Sequence, residues 1–248
     1  MEIMKKTIGL LLALLIAVVS LRGDETREIL DRIDAFRIPY TDFLIQVRIT
    51  SFVRDKVQEE AVFDSYISGN DRSLVIAREY KTRGMKILYV KENMWIHLPN
   101  THRPIRITPI QRLMGEASNG DIARVGFGED YDAECIGEAE HDGVLCDRIL
   151  LKARAEASTY AQIILTVRKR DYRPLRADFY LLSGKHFKTA TYDEYSPIAG
   201  KLILTRMTIR DEVRRSRKTV LEYGRIEQKT IPDRYFNKNY LIHVRDLK

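Results

Sequence analysis

The spacing of hydrophobic and polar residues changes twice along this chain. Behind Lys5 and Lys6, Ile8 to Val19 form an unbroken apolar run. That run is short for a bilayer span, which takes roughly 20 residues, and it suits a secretory signal. Cleavage fits after Ser20 or after Gly23, so residues 1–23 are set apart as a signal peptide. From Asp24 to Phe36 (DETREILDRIDAF) the period becomes helical. Ile29, Leu30, Ile33 and Phe36 share one face, acids occupy the first turn, and Pro39 ends the helix. The period then shortens to two. Phe43, Ile45, Val47 and Ile49 alternate with Leu44, Gln46, Arg48 and Thr50, which predicts a half-buried strand.

Further strands are predicted near Val57–Ile67, Ser73–Tyr80, Met85–Lys91, Met94–Leu98, Pro104–Thr108 and Asp132–Glu138. Others follow near Val144–Ala153, Tyr160–Arg168, Leu175–Leu182, His186–Tyr192, Lys201–Ile209 and Arg217–Tyr223. Turn signals separate them at Ser68-Gly69-Asn70-Asp71, Asp142-Gly143, Ser183-Gly184-Lys185 and Ala199-Gly200. Short strands joined by tight turns imply one large antiparallel meander. The strand–helix rhythm of a parallel sheet is missing. Residues 24–248 therefore read as a single, mainly β domain.

One stretch interrupts the meander: MWIHLPNTHRPIRITPIQRLMGEA, from Met94 to Ala117. Thr108-Pro109-Ile110-Gln111 has the form of a capping box with proline at the first helical position. A short helix is predicted over Pro109–Met114, ended by Gly115. From there to Arg124 the chain reads as irregular or as a second short helix. With the helix at Glu25–Phe36, this gives helical material able to close over one face of a curved sheet.

Charge excludes little. The 248 residues carry a formal +7, which falls to about +5 without residues 1–23. Acids interrupt nearly every basic cluster, and Arg210–Lys218 reads as a solvated hairpin, not the basic stripe of a nucleic-acid binder. The modest excess equally suits an anionic membrane surface. Cys135 and Cys146 flank the Asp142-Gly143 turn. A two-residue loop sets Cys146 opposite Ala139 and Cys135 opposite Leu150, about 13 Å apart along the strands. A disulfide needs Cα atoms within about 7 Å, so two small buried thiols are expected.

Catalytic patterns are missing. The five histidines have no metal-ligand spacing, and His97 with His102 is the nearest approach. No Gly-x-Ser-x-Gly elbow occurs, and Gly126-Phe127-Gly128 lacks the strand–turn–helix setting of a phosphate loop. Neither an enzyme nor a metal or cofactor is expected.

Several stretches together resemble the LolA-like outer-membrane lipoprotein-sorting proteins. They are the M-W-I-H-L-P-x-x-x-R-P-I-R-I-x-P-x-Q-R-L-M-G string from Met94; Glu129-Asp130-Tyr131-Asp132 before Ile136-Gly137-Glu138; and Tyr172-x-Pro174-Leu175. Phe179-Tyr180, Lys188-Thr189 with Tyr195, Thr205-Arg206-Met207, Thr219-Val220-Leu221-Glu222 and Pro232-Asp233 before Phe236 follow in order. The resemblance implies a half-open, curved antiparallel sheet whose concave face is roofed by helices, with acyl chains in the apolar space between. On that reading the cavity candidates are Phe43, Ile45, Val47, Ile49, Ile87, Tyr89, Trp95, Ile163, Leu165, Val167, Phe179 and Leu181. Ile29, Leu30, Ile33, Phe36, Ile110, Leu113 and Met114 would form the roof, and Arg103, Arg106 and Arg112 would meet a headgroup. No cysteine lies near the predicted cut, so no lipobox is expected, and the resemblance further implies a periplasmic monomer. Its partners would be lipid or acylated-protein cargo, an inner-membrane exporter and an outer-membrane acceptor. Glu116-Ala117-Ser118-Asn119-Gly120-Asp121 departs from the family's Gly-Ser-Asp-Phe-type run, which leaves lipoprotein and other lipid both open as cargo. The alternative is a sensor or accessory module docking on an envelope lipid exporter.

Overall fold

The computed structural model describes residues 27–244 apart from Tyr80, Thr82 and Val125. The expected signal segment and the first residues of the first helix lie outside this range. Helix α1 is described over residues 27–34. The strands that follow are β1 (Asp42–Val53), β2 (Lys56–Ser68), β3 (Arg72–Glu79), β4 (Lys86–Val90), β5 (Asn93–His97) and β6 (Ile105–Ile107). A small hairpin, β7 (Arg112–Met114) and β8 (Ala117–Ser118), leads into helix α2 (Asn119–Ala123). The second half is β9 (Tyr131–His141), β10 (Val144–Ala153), β11 (Gln162–Arg168), β12 (Pro174–Tyr180), β13 (His186–Ile198), β14 (Lys201–Asp211) and β15 (Arg217–Gln228). Two 3-10 turns, Asp233–Phe236 and Leu241–His243, follow.

Thirteen strands form one antiparallel sheet in the order β6-β5-β4-β3-β2-β1-β15-β14-β13-β12-β11-β10-β9. Only β1 against β15 joins strands distant in sequence, and that pairing stitches the two meanders together. Two-residue turns set the register. Asp142-Gly143 and Ala199-Gly200 have positive φ at both positions, as hairpins twisting with their strands require. Bulges in seven of the strand pairings, β1–β15 and β13–β14 among them, bend the sheet. It remains an open half-barrel with β6 and β9 as edges.

Alternation sorts the side chains onto two apolar faces. On the inner face, Phe43, Ile45, Val47, Ile49, Ile87, Tyr89, Ile163, Leu165, Val167 and Phe179 join one core with Leu30 and Ile33 of α1 and Met114 of β7. On the outer face, Leu44, Tyr66, Leu74, Ile76 and Leu88 are covered by Ile231, Phe236, Leu241 and Val244 of the C-terminal segment. Strands buried on both faces, such as β2 and β3, accordingly show unbroken burial in place of alternation.

Two local expectations are corrected. Residues 109–114 are not a helix. Gln111 Oε1 does accept from the Thr108 N–H at 3.1 Å, but the bond closes a turn that enters the β7–β8 hairpin. The covering helix sits later, and it opens with a hydrogen bond of the kind expected at Thr108. Asp121 Oδ2 accepts from the Ser118 N–H at 2.7 Å. Gly115, the expected helix terminator, occupies the hairpin turn at φ 55°. The second correction is a register. Cys146 pairs with Ala139 as expected, but a bulge at Ile136-Gly137 sets Cys135 opposite Ile149. Cys146 is buried; Cys135 is exposed, and both thiols are free.

Candidate functional site: the roofed interior

Three pieces cover the inner face: α1, the β7–β8 hairpin and α2. Each is fastened by polar contacts at its ends. At α1, Asp34 accepts from the N–H groups of Phe127 (2.8 and 2.9 Å) and Gly128 (2.9 Å). Burial outweighs these donors and the neighbouring Arg37 charge, and pushes the carboxyl up to about 6. Just past α1, the Phe36 carbonyl accepts from Leu204 N–H at 2.8 Å, and the Phe36 ring meets Tyr195 edge-on at 5.8 Å.

The hairpin lies directly on the sheet. A Cβ at Gly115 would stand 2.4 Å from Thr219 Oγ1 and 2.7 Å from Ser51 Cβ, so only glycine lets this turn touch β1 and β15. Next to it, Thr219 Oγ1 accepts from the Glu116 N–H at 2.7 Å. Burial pushes the Glu116 carboxyl up, and Arg112 and Lys188 partly offset that.

Helix α2 is held by three strands and a loop. Tyr160 OH donates to Asp121 Oδ1 at 2.7 Å, Lys188 Nζ donates to Ser118 Oγ at 2.8 Å, and Ser73 Oγ donates to the Ala123 carbonyl at 2.7 Å. Arg124, just past the helix, pairs with Asp130 and lies 4.7 Å over the Tyr89 ring. Gly120 presses against Thr159 so closely that a Cβ would come within 2.1 Å of its hydroxyl.

Under the roof, between Arg37 and Tyr160, lies a void of about 30 Å³. That is room for a water or two and far below the roughly 300 Å³ of a small ligand site. Its wall is mixed: Arg37, Asp121, Arg124, Tyr131, Tyr160 and Tyr192, with Phe127, Ile163, Phe179 and Met207. Burial opposes the Arg37 charge, the Asp34 and Asp121 carboxylates beside it favour it, and the guanidinium stays protonated. Burial pushes Tyr131 and Tyr192 up to about 12, so both are neutral phenols.

Beside this void lies an open groove of about 610 Å³, lined by Ile110, Ala153, Arg154, Ala155, Glu156, Ser158, Thr159, Tyr160, Ala161, Leu181 and Leu182. Thr159 and Tyr160 line both spaces and form the partition between them.

The residues expected at the site are thus distributed as follows. Ten of the cavity candidates share the inner core. Trp95 does not: it pairs with Leu88 across β4–β5, and that register turns it to the outer face beside Lys238. Leu181 lies in the groove. Of the roof candidates, Ile29, Leu30, Ile33, Leu113 and Met114 pack on the core, Phe36 packs on Tyr195, and Ile110 is part-exposed at the groove. Arg103, Arg106 and Arg112 are exposed on separate elements: the β5–β6 loop, β6 and β7. The arginines that reach the interior are Arg37, just past α1, and Arg124, just past α2, and α2 with Tyr160 supplies the partition. A capping-box spacing at Ser118-x-x-Asp121 is the sequence signal that could have located α2.

Comparison with known proteins fits this geometry. A family model described as "Uncharacterized protein" matches residues 69–243. A search of curated proteins found no match. Among solved structures, a LolA superfamily protein from Nitrosomonas europaea is 30% identical, with TM-score 0.81, and the alignment covers 87% of this chain and 98% of that one. A lipoprotein-sorting protein domain from Vibrio parahaemolyticus, described as outer-membrane, is 20% identical with TM-score 0.73, over 89% and 99% of the two chains. A DUF1329 family protein from Desulfovibrio piger is 22% identical with TM-score 0.73, over 88% and 98%. The last two share the fold. By the match to the Nitrosomonas protein, this chain belongs to the LolA superfamily.

Proposed function

We propose that this protein is a periplasmic carrier, without catalytic activity, that takes the acyl chains of a lipoprotein or another lipid under its roof and moves them toward the outer membrane. The observation that carries this is the shared wall at Thr159 and Tyr160. A groove of ligand size ends at a partition whose hydroxyl is tied to α2, and behind the partition is an apolar face covered by three separately fastened pieces. The roof described above is the closed state. Shifting α2 breaks the Tyr160–Asp121 bond and joins the groove to the inner core. An acyl chain entering there replaces roof contacts and gains about 0.8 kcal/mol per buried CH₂. The cost is the rupture of a few buried polar contacts at roughly 1 kcal/mol each, so a long chain suffices to hold the roof open. Lipoprotein-sorting assignment of a structural neighbour supports this cargo class.

The test is native mass spectrometry with lipid extraction on protein purified from the cell envelope. A co-purifying lipid or acylated peptide is the expected result. Protein that is lipid-free and that also fails to take up added fatty acid or phospholipid would refute the carrier reading and favour an accessory module that docks on an exporter.

A further inference from the structure

We infer that one end of the half-barrel is a docking surface for an anionic lipid membrane, made of apolar turn tips set among unpaired cations. The inference stands on the turns and does not require a filled interior.

An antiparallel meander places alternate turns at opposite ends. The β1–β2, β3–β4, β5–β6, β10–β11, β12–β13 and β14–β15 turns therefore share an end, the last because Val53 pairs with Arg217. Contacts make this end continuous. Arg54 N–H donates to the Ser216 carbonyl at 2.8 Å and Glu212 N–H to the Phe187 carbonyl at 2.9 Å, while Ile110, Leu182 and the β10–β11 loop line one groove.

Four large apolar side chains project along it: Leu182 at 94% exposure, Val213 at 59%, Val57 at 55% and Ile110 at 39%. Leu182 stands at the very tip of its turn, where no packing accounts for it. Arg54, Lys56, Arg83, Lys185, Arg214 and Arg215 surround them, all exposed and none in an ion pair among the described residues. Of the acids nearby, Asp55 binds Lys218 at 2.6 Å and Asp211 caps its own turn by accepting from Val213 and Arg214 N–H, which leaves Glu156 and Glu212 among the more numerous cations. The opposite end differs in charge. Its turns balance Asp71, Glu92, Asp142 and Asp171 with Lys91, Lys169, Arg170 and Arg173.

Apolar tips that enter the headgroup layer, with cations beside them, are what an anionic interface binds. A protein partner would ask for a contiguous apolar core with a charged rim; here Val57 and Val213 stand singly beside Lys56 and Arg214, and Ile110 and Leu182 stand at the groove. Docking this way presents the groove at Ile110 and Leu182 to the bilayer.

The experiment is sedimentation of the full chain with phosphatidylglycerol–phosphatidylethanolamine vesicles and with phosphatidylcholine vesicles. Binding to the anionic vesicles is expected, and it weakens with salt. Arg214→Ala with Arg215→Ala should cost about thirtyfold in affinity, from about 1 kcal/mol per cation near such a surface. Lys169→Ala with Arg170→Ala, at the other end, should leave it unchanged. A chain carrying Leu182→Trp and Trp95→Phe should show blue-shifted emission on binding, which reports this tip irrespective of any other membrane-seeking segment. No binding, equal losses from the two double variants, or unshifted emission from the Leu182→Trp chain would each overturn the inference.

Discussion

Asp34 shows how a single buried group ties the roof to pH. Its carboxyl is raised from 3.8 to about 6 because burial outweighs its backbone donors. A raised acid favours folding when protonated, so its contribution is full below the unfolded value and is lost as pH rises through about 6. Wild type should therefore gain stability relative to Asp34→Asn, by about 1–3 kcal/mol, on going from about pH 7 to about pH 4. Paired thermal melts across that range check it; parallel curves would contradict the burial assigned to Asp34. Gly120 answers a different question, that of space. Gly120→Ala should destabilise by about 1–3 kcal/mol, with partial rescue by Thr159→Gly, since Thr159 is what the new methyl meets. Single residues were legible where period two speaks, as from Phe43 to Ile49. Trp95 was not, because aromatic size argues for burial but not for a side of the sheet. Its outer position gives a simple expectation: lipid loading leaves the Trp95 emission unchanged, and a large shift would mean that the outer face also rearranges.

At the scale of elements, the meander was written plainly in alternation and turn residues; most strand ends fell within three residues of expectation, while β13 and β15 run six and five residues past it. The roof was harder. Thr108 to Gln111 carries good helix-start chemistry, yet the chain must seat Gly115 on Thr219 and Ser51 in a turn at φ 55°, which a right-handed helix does not contain. Tertiary contact decided the local structure. The α2 start at Ser118 carries the same kind of signal, with Asp121 three residues on. Tyr160, which precedes β11, has no sequence signal for its part in the partition; its partner Asp121 lies on an element 39 residues away. Tyr160→Phe removes that bond while keeping the ring. It should cost about 1 kcal/mol of stability and speed lipid exchange several-fold, read as transfer of a fluorescent fatty acid to acceptor vesicles. Slower or unchanged exchange would take Tyr160 out of the gate.

The whole molecule is a sheet with two jobs on two faces. The inner face is covered by pieces joined end-on through polar contacts. The outer face of β1–β5 is covered by the C-terminal segment through Ile231, Phe236, Leu241 and Val244. That strap has no regular period, so the sequence could not announce it. Among the described residues no helix is long and apolar enough to cross a membrane. The central claim is that the roof moves to admit lipid. It is tested most directly by a disulfide between cysteines placed at Gly120 of α2 and at Thr159, where a Cβ on Gly120 would lie 2.9 Å from the Thr159 Cβ, in a Cys135→Ala chain that removes the exposed native thiol. Fatty-acid uptake should vanish in the crosslinked protein and return when the link is cleaved. Equal uptake with the link intact would contradict a moving roof.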